Sequence, residues 1–182
     1  MHLVAPRYWT AEMVRALPED GKRYETVYGE LLVSPSPRPM HQLVLSRLMF
    51  AIEIYLRREP VGVIISSPAD ISWGDDTLVQ PDLFVVERSQ AATLKWASMQ
   101  QLLLAIELLS PSSLNADRFT KRVLYQRQSV GTYWVIDADE GSDEVWRPGV
   151  IFPETAEREL SWQPEGASTA LTIALAELFA PL

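Results

Sequence analysis

The chain has 182 residues, 47% of them apolar and 22% charged, with a net charge of −8 and no cysteine. That length predicts one domain spanning residues 1–182, and no run approaches the roughly 18 apolar residues of a membrane span. Without cysteine there are no disulfides, no thiolate metal site and no cysteine nucleophile, which suits a cytoplasmic protein. The N-terminal stretch has an early Pro and Arg instead of a continuous apolar core, so a secretory signal is not expected.

The negative charge is not spread evenly. Residues 1–136 carry 14 acidic and 14 basic side chains, and residues 137–182 carry 10 acidic and 2 basic. Within the balanced part, Asp117–Gln128 holds Arg118, Lys121, Arg122 and Arg127 against Asp117 alone. That segment could meet phosphate, or be an ordinary solvated helix face.

In chain order, Thr10-Ala11-Glu12 opens a short helix that should stop near Leu17, ahead of Pro18 and Gly21. Arg23–Ser34 reads as a β-hairpin around Gly29. The proline-rich Ser34–Pro39 leads into a helix over Met40–Arg58, with Leu45, Leu48, Met49, Ile52, Tyr55 and Leu56 at helical spacing. Val61–Ser67 and Ala69–Trp73 follow as strand segments divided by Pro68. Leu78–Val86 is a further strand, Glu87–Gln101 a helical or irregular crossover, and Leu102–Leu109 another strand. Asn115 could cap a helix running to about Ser129, with Gly131 at its end. Thr132–Asp137 is an apolar strand. Short strands and a small helix near Ala174–Phe179 close the chain.

Two carboxylates stand out against this pattern. Asp82 lies within LVQPDLFVV and Glu107 within LLLAIELL, runs that read as strands buried on both faces. A buried carboxylate must be protonated, paired with a cation, or hold a metal. Either residue could be structural, Glu107 as a core carboxylate paired to an arginine and Asp82 as a cap after Pro81. Lys121 could pair with Asp117 one turn earlier, and Tyr125 could simply pack.

Several motifs in this order resemble one family. They are Arg23-Tyr24-Glu25 with Gly29-Glu30-Leu31, Ser34-Pro35-Ser36-Pro37 with His41, Gln80-Pro81-Asp82, Glu107-Leu108-Leu109-Ser110-Pro111-Ser112, Asp117 with Lys121 and Tyr125, and Tyr133-Trp134-Val135-Ile136-Asp137. Together they resemble the Uma-type endonucleases of the PD-(D/E)XK, or restriction-endonuclease-like, nuclease superfamily. The resemblance implies an α/β fold with a central mixed sheet flanked by helices. It also implies Asp82 and Glu107 as ligands of Mg2+ or Mn2+, hydrolysis of DNA, and catalytic roles for Asp82, Glu107 and Lys121. Magnesium agrees with such a donor set, since it favours oxygen and often uses one or two carboxylates. The superfamily's lysine normally lies two residues after the glutamate, where this chain has Leu109, so Lys121 is the expected substitute. Glu30 and His41 are secondary candidates, Glu25 competes with Glu30 for the metal site, and Gln80 could orient water or contact DNA.

Two other functions compete. Paired carboxylates also serve glycosidases, which need neither lysine nor metal. A nuclease-like fold without catalysis could act as a nucleic-acid-binding or protein-interaction module, as Leu109 and the acidic C-terminal part would suit. Apolar strand edges and six tryptophans leave room for a homodimer.

Overall fold

A computed structural model describes residues 8–181; the sequence expectation for the first seven residues lies outside them. Helix α1 (Ala11–Arg15) is capped by Thr10, whose side chain accepts from the Met13 amide. Strands β1 (Arg23–Val27) and β2 (Glu30–Ser34) form the expected hairpin. Helix α2 (Pro39–Arg58) begins with proline in its first turn, where a missing N–H costs nothing. It buries Val44, Leu48, Ile52, Tyr55 and Leu56. The stripe is turned slightly from the expected one, with Val44 inside and Met49 largely exposed.

Strands β3 (Gly62–Ser66), β4 (Ile71–Ser72), β5 (Leu78–Val79) and β6 (Leu83–Glu87) come next, then α3 (Arg88–Ala91) and β7 (Leu102–Leu108). A π-helical segment, Ala116–Lys121, runs into α4 (Arg122–Arg127). Strands β8 (Tyr133–Asp137), β9 (Ser142–Trp146), β10 (Glu159–Trp162) and β11 (Leu171–Ala174) and helix α5 (Leu175–Leu178) complete the described chain.

The central sheet has the order β3-β6-β7-β8-β9 and is mixed, with β7 and β8 parallel and the other pairs antiparallel. Alternation along its strands builds two cores. Leu83, Val85, Leu104, Ile106, Trp134 and Ile136 pack with α2 and the β10–β11 hairpin. Phe84, Val86, Ala105, Tyr133 and Val135 face the other way, against Leu124 and Tyr125 of α4 and residues of a second sheet ordered β2-β1-β5-β4.

That second sheet corrects the expected Leu78–Val86 strand. The segment is two strands in two sheets: β5 pairs with β1 and β4, and β6 with β3 and β7. Pro81 has no N–H to give to a ladder, and the Gln80 amide donates instead to Glu25 Oε1 at 2.7 Å. The chain therefore crosses between sheets at Gln80–Asp82, which sets Asp82 just before β6. Nor is Asn115 a cap. Its backbone is already helical and its side chain makes no capping bond, whereas Ser110 and Ser113 exchange bonds at the helix entry, Ser113 N to Ser110 Oγ at 3.2 Å and Ser110 N to Ser113 Oγ at 3.1 Å.

The β1–β2 turn has positive φ at Tyr28 (50°) and Gly29 (81°), the combination that suits a two-residue hairpin. A Cβ at position 29 would run into the ring of Tyr8. Gly29→Ala should thus lower stability by about 2 kcal/mol, from the left-handed backbone cost and the displaced ring. Urea unfolding measures it, and the loss should shrink when Tyr8→Ala is combined with it.

Candidate active site

The site forms where the two sheets and the π-helical segment meet. On β1, Arg23 and Glu25 are two residues apart and share one face of the strand. The crossing segment contributes Asp82, β7 contributes Glu107, and the π-helical segment contributes Asp117 and Lys121. Glu107 faces the α4 side of the sheet, so the helix can reach it. Except for Arg23, which is partly exposed, all of these residues are buried.

Lys121 is the hub. Its ammonium lies 2.7 Å from Glu25 Oε2, 3.0 Å from Glu107 Oε1 and 3.3 Å from Asp117 Oδ1. Burial would lower its pKa, but the Glu107, Glu25 and Asp117 charges outweigh that and hold it well above an ordinary lysine. Lys121 therefore stays charged, and acts as a cation that can orient and stabilise but cannot accept a proton. The Asp117 pair exists at the i,i+4 spacing of a surface pair, yet it is buried inside the cluster.

Around the hub, Tyr125 donates to Glu107 Oε1 at 3.0 Å and the Tyr133 hydroxyl holds the Asp117 carbonyl at 2.9 Å. Asp82 Oδ2 accepts the Leu108 amide at 2.8 Å, which ties the carboxylate to the neighbouring strand. Arg23 Nη1 lies 2.7 Å from Asp82 Oδ1. His41, in the first turn of α2, approaches Asp82 Oδ2 at 3.5 Å, too long for a well-formed hydrogen bond, and its Nε2 has no other partner among the described residues.

Burial pushes the Asp82 pKa up, but contact with His41, the Arg23 charge and the Leu108 amide bring it down to about 2. Burial pushes Glu107 well above an ordinary glutamate, and Asp117, Asp82 and Glu25 reinforce this against Lys121. Asp117 is raised mainly by burial as well.

Of the sequence candidates, the fold brings Asp82, Glu107, Lys121 and His41 together. Glu30 is not among them: it is exposed at the far end of the hairpin, paired with Val27, and Glu25 is the hairpin glutamate that reaches the cluster. Gln80 lies at the edge, its side chain donating to Asp70. Arg23 and Asp117 were not anticipated as site residues. The signals for them were present, since Arg23-x-Glu25 puts opposite charges on one strand face and Asp117, Lys121 and Tyr125 recur every four residues.

The basic helix differs from expectation too. Lys121 points inward, Arg118 pairs with Glu144 at 2.7 Å, Arg122 stacks over Trp146 and Arg127 lies over Tyr28. Lys121 is thus taken out of the basic face and Arg118 and Arg122 are partly covered, while Arg127 remains exposed beside Tyr28.

The donor set suits a divalent cation. Four carboxyl groups, on Glu25, Asp82, Glu107 and Asp117, face only two cations, Arg23 and Lys121. Asp82 Oδ1 and Asp117 Oδ1 are buried without a hydrogen-bond partner among the described residues. Among those residues no three His, Asp or Glu side chains form a ready cage. Magnesium does not demand one, because it keeps several waters of its own. The space between these groups is ≈ 30 Å³, about one water or small ion, and it opens past Ser34, Pro35, Pro37 and Ser110.

The two carboxylates should answer neutralisation differently in metal-free protein. Asp82 is depressed, so its contribution is present above pH about 4 and is lost as pH falls towards 2; Asp82→Asn should cost about 2–3 kcal/mol at neutral pH. Glu107 is raised, so its contribution is full below the ordinary glutamate value of 4.5 and declines as pH rises above it. Glu107→Gln should preserve or raise stability at neutral pH and flatten that decline. Chemical denaturation across pH 4–8 with chelator present checks both.

The profile of a family described as "Uma2: Putative restriction endonuclease" matches residues 11–176. Among solved structures, a "putative nuclease belonging to DUF820" from Anabaena variabilis ATCC 29413 superposes with a TM-score of 0.78 at 22% identity, covering 94% of this chain and 98% of the other. No curated protein matches the chain. Among the described residues no helix is long and apolar enough to cross a membrane. The central mixed sheet flanked by helices is restriction-endonuclease-like, and the chain belongs to the Uma2 restriction-endonuclease family.

Proposed function

We propose that this protein, acting as one domain, is a divalent-metal-dependent endonuclease that hydrolyses DNA phosphodiester bonds, with Asp82 and Glu107 holding Mg2+ or Mn2+. The observation that carries this reading is the convergence of Asp82, Glu107 and Lys121 on one small polar space at the base of a cleft. When bound, the cation would supply a better water nucleophile and neutralise charge on the phosphoryl oxygens. The chain's own groups do the rest. Lys121 orients the nucleophile and stabilises developing negative charge, and is itself held in place by Glu25, Glu107 and Asp117. Asp117, which lines the cleft with Oδ1 3.3 Å from the Lys121 ammonium, is the candidate acceptor for the proton of the attacking water. Leu109, at the superfamily's usual lysine position, is buried in the apolar core, which agrees with the cation having moved to the helix.

A cysteine-free chain suits the reducing cytoplasm, where its substrate would be DNA. A homodimer would set two such sites on one duplex, and the edge strand β2, with Val33 exposed, leaves room for that pairing. One observation favours the other reading, a nuclease-like module that binds without cleaving: among the described residues no three His, Asp or Glu side chains form a ready metal cage.

Incubation with supercoiled plasmid and with single- and double-stranded oligonucleotides, with Mg2+, Mn2+ or chelator, separates the two. Metal-dependent cleavage lost in Asp82→Asn and Glu107→Gln supports the nuclease; metal-independent binding without cleavage of any substrate supports the module. Lys121→Met, which keeps the side chain's bulk, should lower the cleavage rate by about 100-fold or more while the variant still binds Mn2+. A variant cleaving at the parent rate would remove Lys121 from the mechanism. Arg127 is exposed and keeps its donors free while stacked on Tyr28, so Arg127→Ala should weaken DNA affinity and reduce its salt dependence; gel-shift titration at two salt concentrations reads this.

A further inference from the structure

The unclaimed oxygens of the two central carboxylates face the same guanidinium. Asp82 Oδ2 is taken by the Leu108 amide, and Glu107 Oε1 by Lys121 and Tyr125. That leaves Asp82 Oδ1 and Glu107 Oε2, and both lie against Nη1 of Arg23, at 2.7 and 4.0 Å.

The 2.7 Å contact is a charge contact and not an aligned hydrogen bond, since Asp82 Oδ1 has no hydrogen-bond partner among the described residues. Nη1 instead donates to the Gln80 carbonyl at 3.0 Å. Arg23 therefore neutralises the two oxygens without being locked onto them by hydrogen bonds. The two cations of the site also differ in access: the Lys121 side chain is 2% exposed and that of Arg23 is 23% exposed, on the cleft wall. One cation is sealed in and the other reaches the cleft wall.

We propose that Arg23 is an exchangeable counter-cation. In metal-free protein it neutralises Asp82 and Glu107; a divalent cation taking those oxygens displaces it, and the guanidinium, turned to the cleft mouth, then contacts a phosphate of the substrate. This rests on the reading of the site as a divalent-metal nuclease centre. The physical reason is competition, because a divalent ion and a guanidinium cannot share two oxygens at low local dielectric without strong repulsion. A displaced guanidinium is also well matched to phosphate, with its planar fork of donors and its fixed charge. Exchange couples the two ligands: phosphate that holds Arg23 away from Asp82 favours metal, and metal that expels Arg23 favours phosphate. It also gives the site a source of phosphate affinity at the cleft itself.

The test uses the intact protein and metal alone first. Calorimetric titration with Mn2+ should show Arg23→Gln binding at least about tenfold tighter than the parent, since the competing charge is gone. The same variant should cleave more slowly, and Ca2+ should strengthen its grip on an uncleaved oligonucleotide by about tenfold less than in the parent. Tighter metal with slower cleavage is a pairing that mere loss of a structural arginine does not produce. Should Arg23→Gln fail to fold, the parent still answers: the Arg23 Nε–H resonance in arginine-labelled protein should move on addition of Ca2+ alone. Equal or weaker Mn2+ affinity in the variant, or an Arg23 resonance unmoved at saturating metal, overturns the exchange and leaves the metal centre standing. If neither parent nor variant binds divalent cations, and Asp82→Asn titrates like both, the metal reading and the exchange fall together.

Discussion

One buried ammonium links the parts of this molecule that carry chemistry. Lys121 meets Glu25 from the β2-β1-β5-β4 sheet, Glu107 from the central sheet and Asp117 from its own helical stretch, so three elements converge on a single charge. Sealing an ammonium from water is costly unless opposite charges are close, and here three are within 3.3 Å. Carboxyl groups also outnumber the cations in the cluster. A site built only for stability would match one lysine to one carboxylate, or replace both with hydrocarbon of similar volume. On the proposed reading, the surplus of carboxyl groups at the base of the cleft is provision for a ligand cation.

The fold makes that gathering possible through a break. Gln80-Pro81-Asp82 leaves one sheet and enters the other, and each polar group on the way is used: the Gln80 amide on Glu25, the Gln80 carbonyl on Arg23, the Asp82 carboxylate on Leu108. The crossing thus fixes the separation of β1 from β7. An uninterrupted strand through this segment would have kept Asp82 within one ladder, away from the hairpin that brings Arg23 and Glu25.

Much of this was legible in the sequence, and what was not has identifiable causes. Asp82 and Glu107 stood out because a charge in an apolar run is a local anomaly, and α2, the hairpin and the mixed sheet followed from periodicity and turn residues. The sheet crossing was hidden because LVQPDLFVV keeps strand-like composition through the break, with Pro81 the only mark of it. Arg23 and Asp117 sit in polar surroundings, where a charged residue looks solvated; they are covered only when distant segments pack over them. Glu30 looked as eligible as Glu25, since both flank the same turn, and only the register and the placement of the hairpin against β5 separate them. The arginines of the 116–127 stretch looked like a phosphate-binding face because Glu144, Trp146 and Tyr28, which engage them, are remote in sequence.

The π-helical turn at Ala116–Lys121 has a consequence for how such a site can be gained or lost. Four residues of an α-helix advance slightly more than one turn, and four residues of the wider π-helix slightly less. A π step from Asp117 to Lys121 followed by an α step from Lys121 to Tyr125 therefore nearly cancels, and the three side chains stay in one line facing Glu107. Deleting a single codon within that turn would restore an ordinary helix, better bonded than before, while rotating Asp117 and what precedes it away from the line. Within this lineage the chemistry and the helix are thus in opposition: one in-frame deletion could convert the protein into a sturdier scaffold with a dispersed site, and the reverse insertion is the corresponding step by which an inert helix could have acquired one.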